Sequence, residues 1–333
     1  MNGIRHATAV LGRGIALIAV TSLVVACGPS TGVAGPVATP GPTTQPSVVQ
    51  SPDATAPPSA TAPAAASTGP STGTTPSPES ASPTPAPTGT TIVRAYLFHV
   101  NIESYGPFPY GLVPVLRTVP ETKGVARAAM TQLLAAGTTG LSSEIPAGTS
   151  LLGISIDSSG IATVDLSGRF AEGGTDVSQI ARTAQVVYTL TQFSNVTGVL
   201  IRVEGNALAV PDDSGRTHSD AVGRADYRAV LPAIFVDRPA YGAAIGNPAR
   251  AAGLANVFEA TFRIRLIDAA GATLVDRQVM ASCGTGCWGT FDVTLPYSVA
   301  KAQWGTLRVY DRSAKDGSPE NVAEEPVWLT PAA

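Results

Sequence analysis

Histidine and cysteine are nearly missing from this chain, with three of each among 333 residues. His99 and His218 stand far apart with no cysteine between them, and no paired carboxylates stand near His99 at motif spacing. Metal coordination and nucleophilic catalysis therefore lack their parts, and no metal, cofactor or catalytic residue is expected. Basic clusters are lacking too. A formal charge of −3 with scattered Lys and Arg argues against nucleic acid as a partner, because phosphate binding needs a concentrated basic face. No long acidic run suggests a cation sponge. The apolar run at residues 15–26 falls short of the roughly 20 residues that cross a bilayer as a helix.

What the amino terminus does have is Arg5, His6 and Arg13 ahead of that run, the layout of an export signal over residues 1–26. Val24-Val25-Ala26-Cys27 resembles a bacterial lipobox, which implies cleavage before Cys27 and acylation of its thiol. The competing reading is an uncleaved anchor followed by an ordinary cysteine. Two or three acyl chains, palmitate among them, would bury tens of methylenes at ~0.8 kcal/mol each, holding the protein on the outer face of a bacterial cell membrane.

Residues 27–91 are almost entirely Pro, Thr, Ser, Ala and Gly, with only Asp53 and Glu79 charged and no aromatic side chain. Such a segment has nothing to form a core with and is expected to be a disordered spacer. As a flexible coil it would span ~45 Å, and as an extended one up to ~190 Å. GPSTG occurs at residues 28–32 and 69–73. The match to a nucleophile elbow is formal, because the elbow needs a strand before the Ser and a helix after it.

The fold declares itself at residues 145–193. Leu152, Ile154 and Ile156 alternate with Gly153, Ser155 and Asp157; after a polar break the alternation resumes at Ala162, Val164 and Leu166. That is a hairpin with one buried face. Val177, Ile180, Ala181, Ala184 and Val187 then recur at helical spacing, with Thr175 placed as the cap. Earlier, Val93, Ala95 and Leu97 alternate with Arg94 and Tyr96, and Val113 with Val115 marks a second strand. Pro114 makes that strand an edge or a bulge. Thr118 has capping-box spacing to Glu121, with Thr122 as the alternative, before a helix facing inward with Ala126, Ala129, Met130 and Leu133 and ending near Gly137. Val199, Ile201 and Val203 form a closing strand. The order predicts an α+β domain over residues 92–210. His99 reads as a strand-end residue rather than a base, and the sequon at Asn195 as chance.

The runs IPAGT, GIATVDLSGRF, AQVVYTLTQF and VTGVLIRVEG in this stretch resemble the GerMN domain of sporulation and spore-germination proteins. The family pattern has Gly-Pro after the first helix, where this chain has Gly137-Thr138. The resemblance implies a non-catalytic module that assembles through sheet edges and helix faces.

Between residues 211 and 232 the apolar pattern lapses, and a connection with a solvated His218 is expected. Phe258, Ala260, Phe262, Ile264 and Leu266 then alternate with Glu259, Thr261, Arg263 and Arg265, a strand with one wet, charged face. Ala270-Gly271 turns into a strand over residues 274–280, and others are expected at 291–295, 307–310 and 327–329. Short strands at this spacing predict an immunoglobulin-like all-β sandwich over residues 233–330. AAGLANVFEA, IDAAGATLVD and YDRSAKDGSPEN resemble the immunoglobulin-like domain that accompanies GerMN.

With Cys27 acylated, Cys283 and Cys287 form an even pair, and outside the cytoplasm a disulfide is the natural reading. A redox pair or half a metal site is the alternative. Asp311, Ser313, Asp316 and Glu320 around Gly317 have the composition of a calcium loop but not EF-hand spacing, which favours a solvated turn. Trp288, Trp304 and Trp328 read equally as core or as an exposed patch. These readings point to an envelope lipoprotein that is not an enzyme. Its expected partners are the membrane, through Cys27, and envelope proteins, with peptidoglycan or another glycan as the alternative ligand.

Overall fold

The computed structural model describes residues 89–135, 137 and 140–332. The expected signal segment, Cys27, the spacer and both GPSTG runs lie outside the described residues, as does Thr138. No described helix is long and apolar enough to cross a membrane.

Strands β1 (Thr90–His99) and β2 (Gly111–Pro120) pair antiparallel, with Tyr96 opposite Pro114. β1 departs from the expected alternation, since Ala95 through His99 are all buried. Tyr96 is fully covered, so this strand is packed on both faces. Pro114 sits in an edge strand, where its missing N–H costs no ladder bond. Helix α1 (Val125–Leu134) buries Ala126, Ala129, Met130 and Leu133. The capping box expected at Thr118 does not form, because Thr118 lies inside β2; Thr122 Oγ1 instead accepts from the Gly124 N–H at 3.0 Å. The helix stops at Ala135, short of Gly137.

β3 (Leu141–Ser142) covers the end of β1, giving the order β2-β1-β3. β4 (Leu151–Ile156) and β5 (Ile161–Leu166) form the expected hairpin, but a bulge between Leu151 and Gly153 shifts its register. Leu151 therefore lies opposite Leu166, and Leu152 is turned out to solvent. A single-residue slip changes which face a side chain occupies. Helix α2 (Asp176–Leu190) crosses over to β6 (Gly198–Val203), which pairs parallel with β5, and β7 (Asn206–Ala207) completes the sheet. Thr175 Oγ1 accepts from the Ser178 N–H at 3.4 Å, as the cap position predicts.

α2 is buried far beyond one apolar stripe. Every side chain from Ile180 to Leu190 is covered, including Arg182, Thr183, Gln185 and Thr189. The polar members satisfy backbone. Arg182 donates to the carbonyls of Phe170, Glu172 and Gly173. Gln185 Nε2 donates to Tyr96 O at 2.9 Å, Thr189 Oγ1 accepts from Tyr96 N at 3.2 Å, and Gln192, just beyond α2, takes both the N–H and the carbonyl of Arg94. Helix spacing puts these three side chains on one face, where they replace a neighbouring strand.

The segment expected to be a bare polar connection is folded. β8 (Val210–Pro211) and β9 (Thr217–His218) form a small hairpin, Val222 bridges to Val199, and a 3-10 turn over Arg224–Val230 buries Tyr227 and Val230.

The second domain is a sandwich. One sheet runs β10 (Ile234–Arg238), β12 (Ala249–Ala255), β15 (Gly289–Leu295). The other runs β11 (Ala244–Ile245), β17 (Pro319–Leu329), β16 (Gln303–Arg312), β13 (Thr261–Asp268), β14 (Thr273–Met280). Phe262 and Phe291 meet edge-on at 4.9 Å between them. β13 begins at Thr261 rather than Phe258: Glu259 and Ala260 have positive φ, which breaks the strand and leaves Phe258 exposed. The wet face is charged as expected, with Arg263 and Arg265 sharing Asp276 and Arg308 paired with Glu324. Cys283 and Cys287 are joined, and their loop is stitched to the broken segment by Thr285 N–H to Val257 O and Gly286 N–H to Asn256 Oδ1, both 3.0 Å.

A bulge between Val236 and Arg238 makes Asp237 the extra residue of β10. There the backbones press so closely that a Cβ on Gly253 would lie 1.9 Å from Phe235 O. Gly253→Ala is therefore expected to cost roughly 3 kcal/mol in denaturant unfolding, whereas a loss under ~1 kcal/mol would show that the bulge can relax.

Candidate functional site at the domain junction

The two bodies share one hydrophobic core, and their junction is closed by an unusual concentration of polar side chains. The bulge in β10 aims Asp237 at the first domain, where its Oδ1 accepts from the Tyr96 hydroxyl at 2.6 Å. Arg224 lies over the rings of Tyr188 and Tyr96, 4.7 and 5.2 Å from their centroids. It donates to Tyr96 Oη, Thr191 Oγ1 and Tyr188 O, and approaches Asp237 at 4.0 Å. Burial works against the Arg224 charge, but the tyrosines and Asp237 outweigh it and hold its pKa above the ordinary value. Burial also pushes the Tyr96 hydroxyl up, with Asp237 adding to the effect, so Tyr96 stays a donor. Phe235 closes the cluster edge-on to Tyr188.

Further along, Tyr241 N–H donates to Pro114 O at 2.9 Å, Tyr105 N–H to Leu231 O at 2.6 Å, and Gly106 N–H to Ala229 O at 2.9 Å. Tyr105 also meets Trp288 edge-on. Beside this seam Glu325 points into the sandwich, 3% exposed, with Oε2 lacking any hydrogen-bond partner among the described residues. Burial, then the Asp237 charge, pushes its pKa up to about 8.

His99 and His218 do not converge. His99 is buried against Tyr241, its Nδ1 accepts from the Asn101 N–H, and burial lowers its pKa. His218 is half-buried rather than solvated, with Nε2 2.8 Å from Asp212 Oδ2, which raises its pKa. Asp212 is fully occupied as a turn staple. Burial disfavours its charge, yet bonds from His218, Ser214 and Arg216 keep its carboxyl well below the usual range. Around Gly317, Asp311 is held by Asn321 and Asp316 by Ser318, so their carboxylates serve the turn. Among the described residues no three potential metal ligands converge. Trp304 is exposed and meets half-buried Trp328 edge-on at 5.2 Å on the outer sheet face. Trp288 packs at the junction.

Sequence reasoning missed Arg224, Tyr96 and Asp237 altogether. The available signal was Gly253 inside a strand pattern, which marks a bulge or a close backbone approach.

The family described as sporulation and spore germination matches residues 95–209, and the immunoglobulin-like domain of bacterial spore germination matches residues 233–318. The chain carries a GerMN domain followed by a spore-germination immunoglobulin-like domain. No curated protein matches it. Among solved structures, the first GerMN domain of the sporulation protein GerM from Bacillus subtilis is 25% identical over 41% of this chain and 99% of that one, with a TM-score of 0.33. The tandem GerMN domains of the same protein are 18% identical over 62% of each chain, with a TM-score of 0.34. A putative lipoprotein from Clostridium perfringens is 15% identical over 41% of this chain and 92% of that one, with a TM-score of 0.26. At these TM-scores the structural likeness carries no weight beside the two family matches.

Glu325 gives the junction a pH signature. The folded state retains the Glu325 proton that the unfolded chain gives up above its ordinary value of 4.5, so stability falls as pH rises from there towards 8. Glu325→Gln does not titrate, and its Tm advantage over the parent is expected to grow across that window by several degrees, about 5 °C, and then level off. A Tm difference that stays flat with pH would show that Glu325 ionises freely in the fold.

Proposed function

We propose that this chain is a lipid-anchored, non-catalytic envelope protein whose GerMN and immunoglobulin-like domains assemble with other envelope proteins in sporulation or germination. The observation that carries the reading is the pairing of two germination-type domains locked together by Arg224, Tyr96 and Asp237. A rigid two-domain body presents one fixed surface, which suits assembly. Arg224 and Asp237 are spent on Tyr96 and on each other, and His99 and His218 serve a strand end and a turn, which supports a role without chemistry. The spacer composition and the residues ahead of Cys27 support a tether on the outer face of the membrane.

A second reading, glycan or peptidoglycan binding, is favoured by one feature. Trp304 offers an exposed indole beside Trp328, the kind of amphipathic platform on which a sugar ring can stack.

Crosslinking in intact cells followed by recovery of the chain separates these readings. A defined complex of envelope proteins supports assembly. Sedimentation of the purified chain with insoluble peptidoglycan, abolished by Trp304→Ala, supports the glycan reading and removes the first. For the tether, Cys27→Ser is expected to abolish incorporation of labelled fatty acid and to release the protein from membranes; unchanged labelling would exclude acylation at Cys27.

A further inference from the structure

The outer face of the five-stranded sheet carries three large apolar side chains that are more than half exposed, Met280 at 73%, Phe258 at 56% and Trp304 at 53%. They stand at its two ends. Met280 lies opposite Thr261 at the start of β13, with Phe258 just ahead of it. Trp304 and Trp328 lie opposite each other at the far end, where Gly305 pairs with Asp268, and half-buried Ile267 and Pro326 widen that end. Between the ends the face is charged but already paired: Asp276 takes Arg263 and Arg265, Glu324 takes Arg308, and two of these guanidinium groups lie over the Tyr310 ring. Glu259 and Arg312 add one charge of each sign beside Phe258.

We propose that this face binds the same face of a second copy of the chain, with Phe258 and Met280 of each copy laid on Trp304 and Trp328 of the other. The inference goes beyond the assembly reading above and does not rest on it. A face that is apolar at both ends and charged in the middle matches itself when one copy is turned end for end, and a closed two-fold contact requires such self-matching. A sugar ring would use the tryptophan end alone. Phe258 and Met280 would then stay bare at the other end of an eight-residue strand, roughly 25 Å away. The size fits as well. Eight residues along β13 and the four long strands β17, β16, β13 and β14 give a face of roughly 26 by 19 Å. Two copies therefore bury about 1,000 Å² before side-chain relief is counted, the lower bound of a specific interface. In the middle of each face three guanidinium groups share two carboxylates, so added salt screens a small repulsion between the copies.

The test places the photoreactive analogue benzoylphenylalanine at position 258 of the full chain and illuminates intact cells. The expected product contains two copies of the chain, joined at the peptide that holds Trp304 or Trp328. Trp304→Glu and Met280→Glu, both at exposed positions, should each lower its yield at least about fivefold, because each buries a charge against apolar side chains. Leu152→Glu, exposed in the first domain, should leave the yield unchanged. In isolated membranes the yield should hold or rise as salt is added. No two-chain product, a product joined elsewhere, crosslinks only to another protein, to lipid or to peptidoglycan, a yield that falls with salt, or indifference to both Glu variants overturns the proposal. If the two-chain product is missing while crosslinking still recovers an envelope complex, the paired face is wrong and assembly stands; if the product forms and no other protein is recovered, assembly with other proteins is what fails.

Discussion

The backbone of β1 from Ala95 onward must be hydrogen-bonded along both edges while buried on both faces, and this one demand organises the molecule. β2 meets it on one side. On the other, β3 reaches only Phe98 and His99, and side chains of and just beyond α2 finish the work: Gln185, Thr189 and Gln192 address Tyr96 and Arg94 in strand-like fashion. An unpaired buried peptide group costs on the order of 1–3 kcal/mol, so these bonds fix where α2 lies and which residues can occupy its inner face. Polar residues in the middle of a buried helix are the result.

Because β1 is held so firmly, what it carries towards the second domain is held as well. Tyr96 contributes its ring to Arg224 and its hydroxyl to Asp237, and His99 supports Tyr241. The Arg224 side chain is 28% exposed, and a partly desolvated cation over an aromatic face contributes about 1–2 kcal/mol. The junction thus combines apolar packing through Phe235 with a cation that both domains help to neutralise. It behaves as part of the core, so the two domains keep one relative orientation.

Much of this architecture could be read from residue order. The hairpin at β4 and β5, the Thr175 cap, the inner face of α1 and the charged face of β13 follow from local periodicity, which neighbours in sequence control. The failures cluster where a single residue is inserted or a backbone crosses to a distant partner. Leu152 turns out because of a bulge, Phe258 because Glu259 and Ala260 leave the strand region, and Asp237 points away because β10 bulges against Gly253. Gln185 and Thr189 fall outside the apolar helical pattern, and the partners that bury them lie about ninety residues away. The Tyr96–Asp237 contact was equally hidden, since neither residue belongs to any local pattern that distinguishes it from solvent-facing polar positions.

The closure of β1 from a distance also has a consequence in time. Thr189 lies 93 residues after Tyr96, and Asp237 lies 141 after it. A chain emerging amino terminus first leaves that strand half-clothed until Thr189 has followed, and longer until its second domain does. During that interval an apolar strand with an open edge can pair with another unfolded copy, so slow emergence penalises this protein through its first strand rather than through its sandwich.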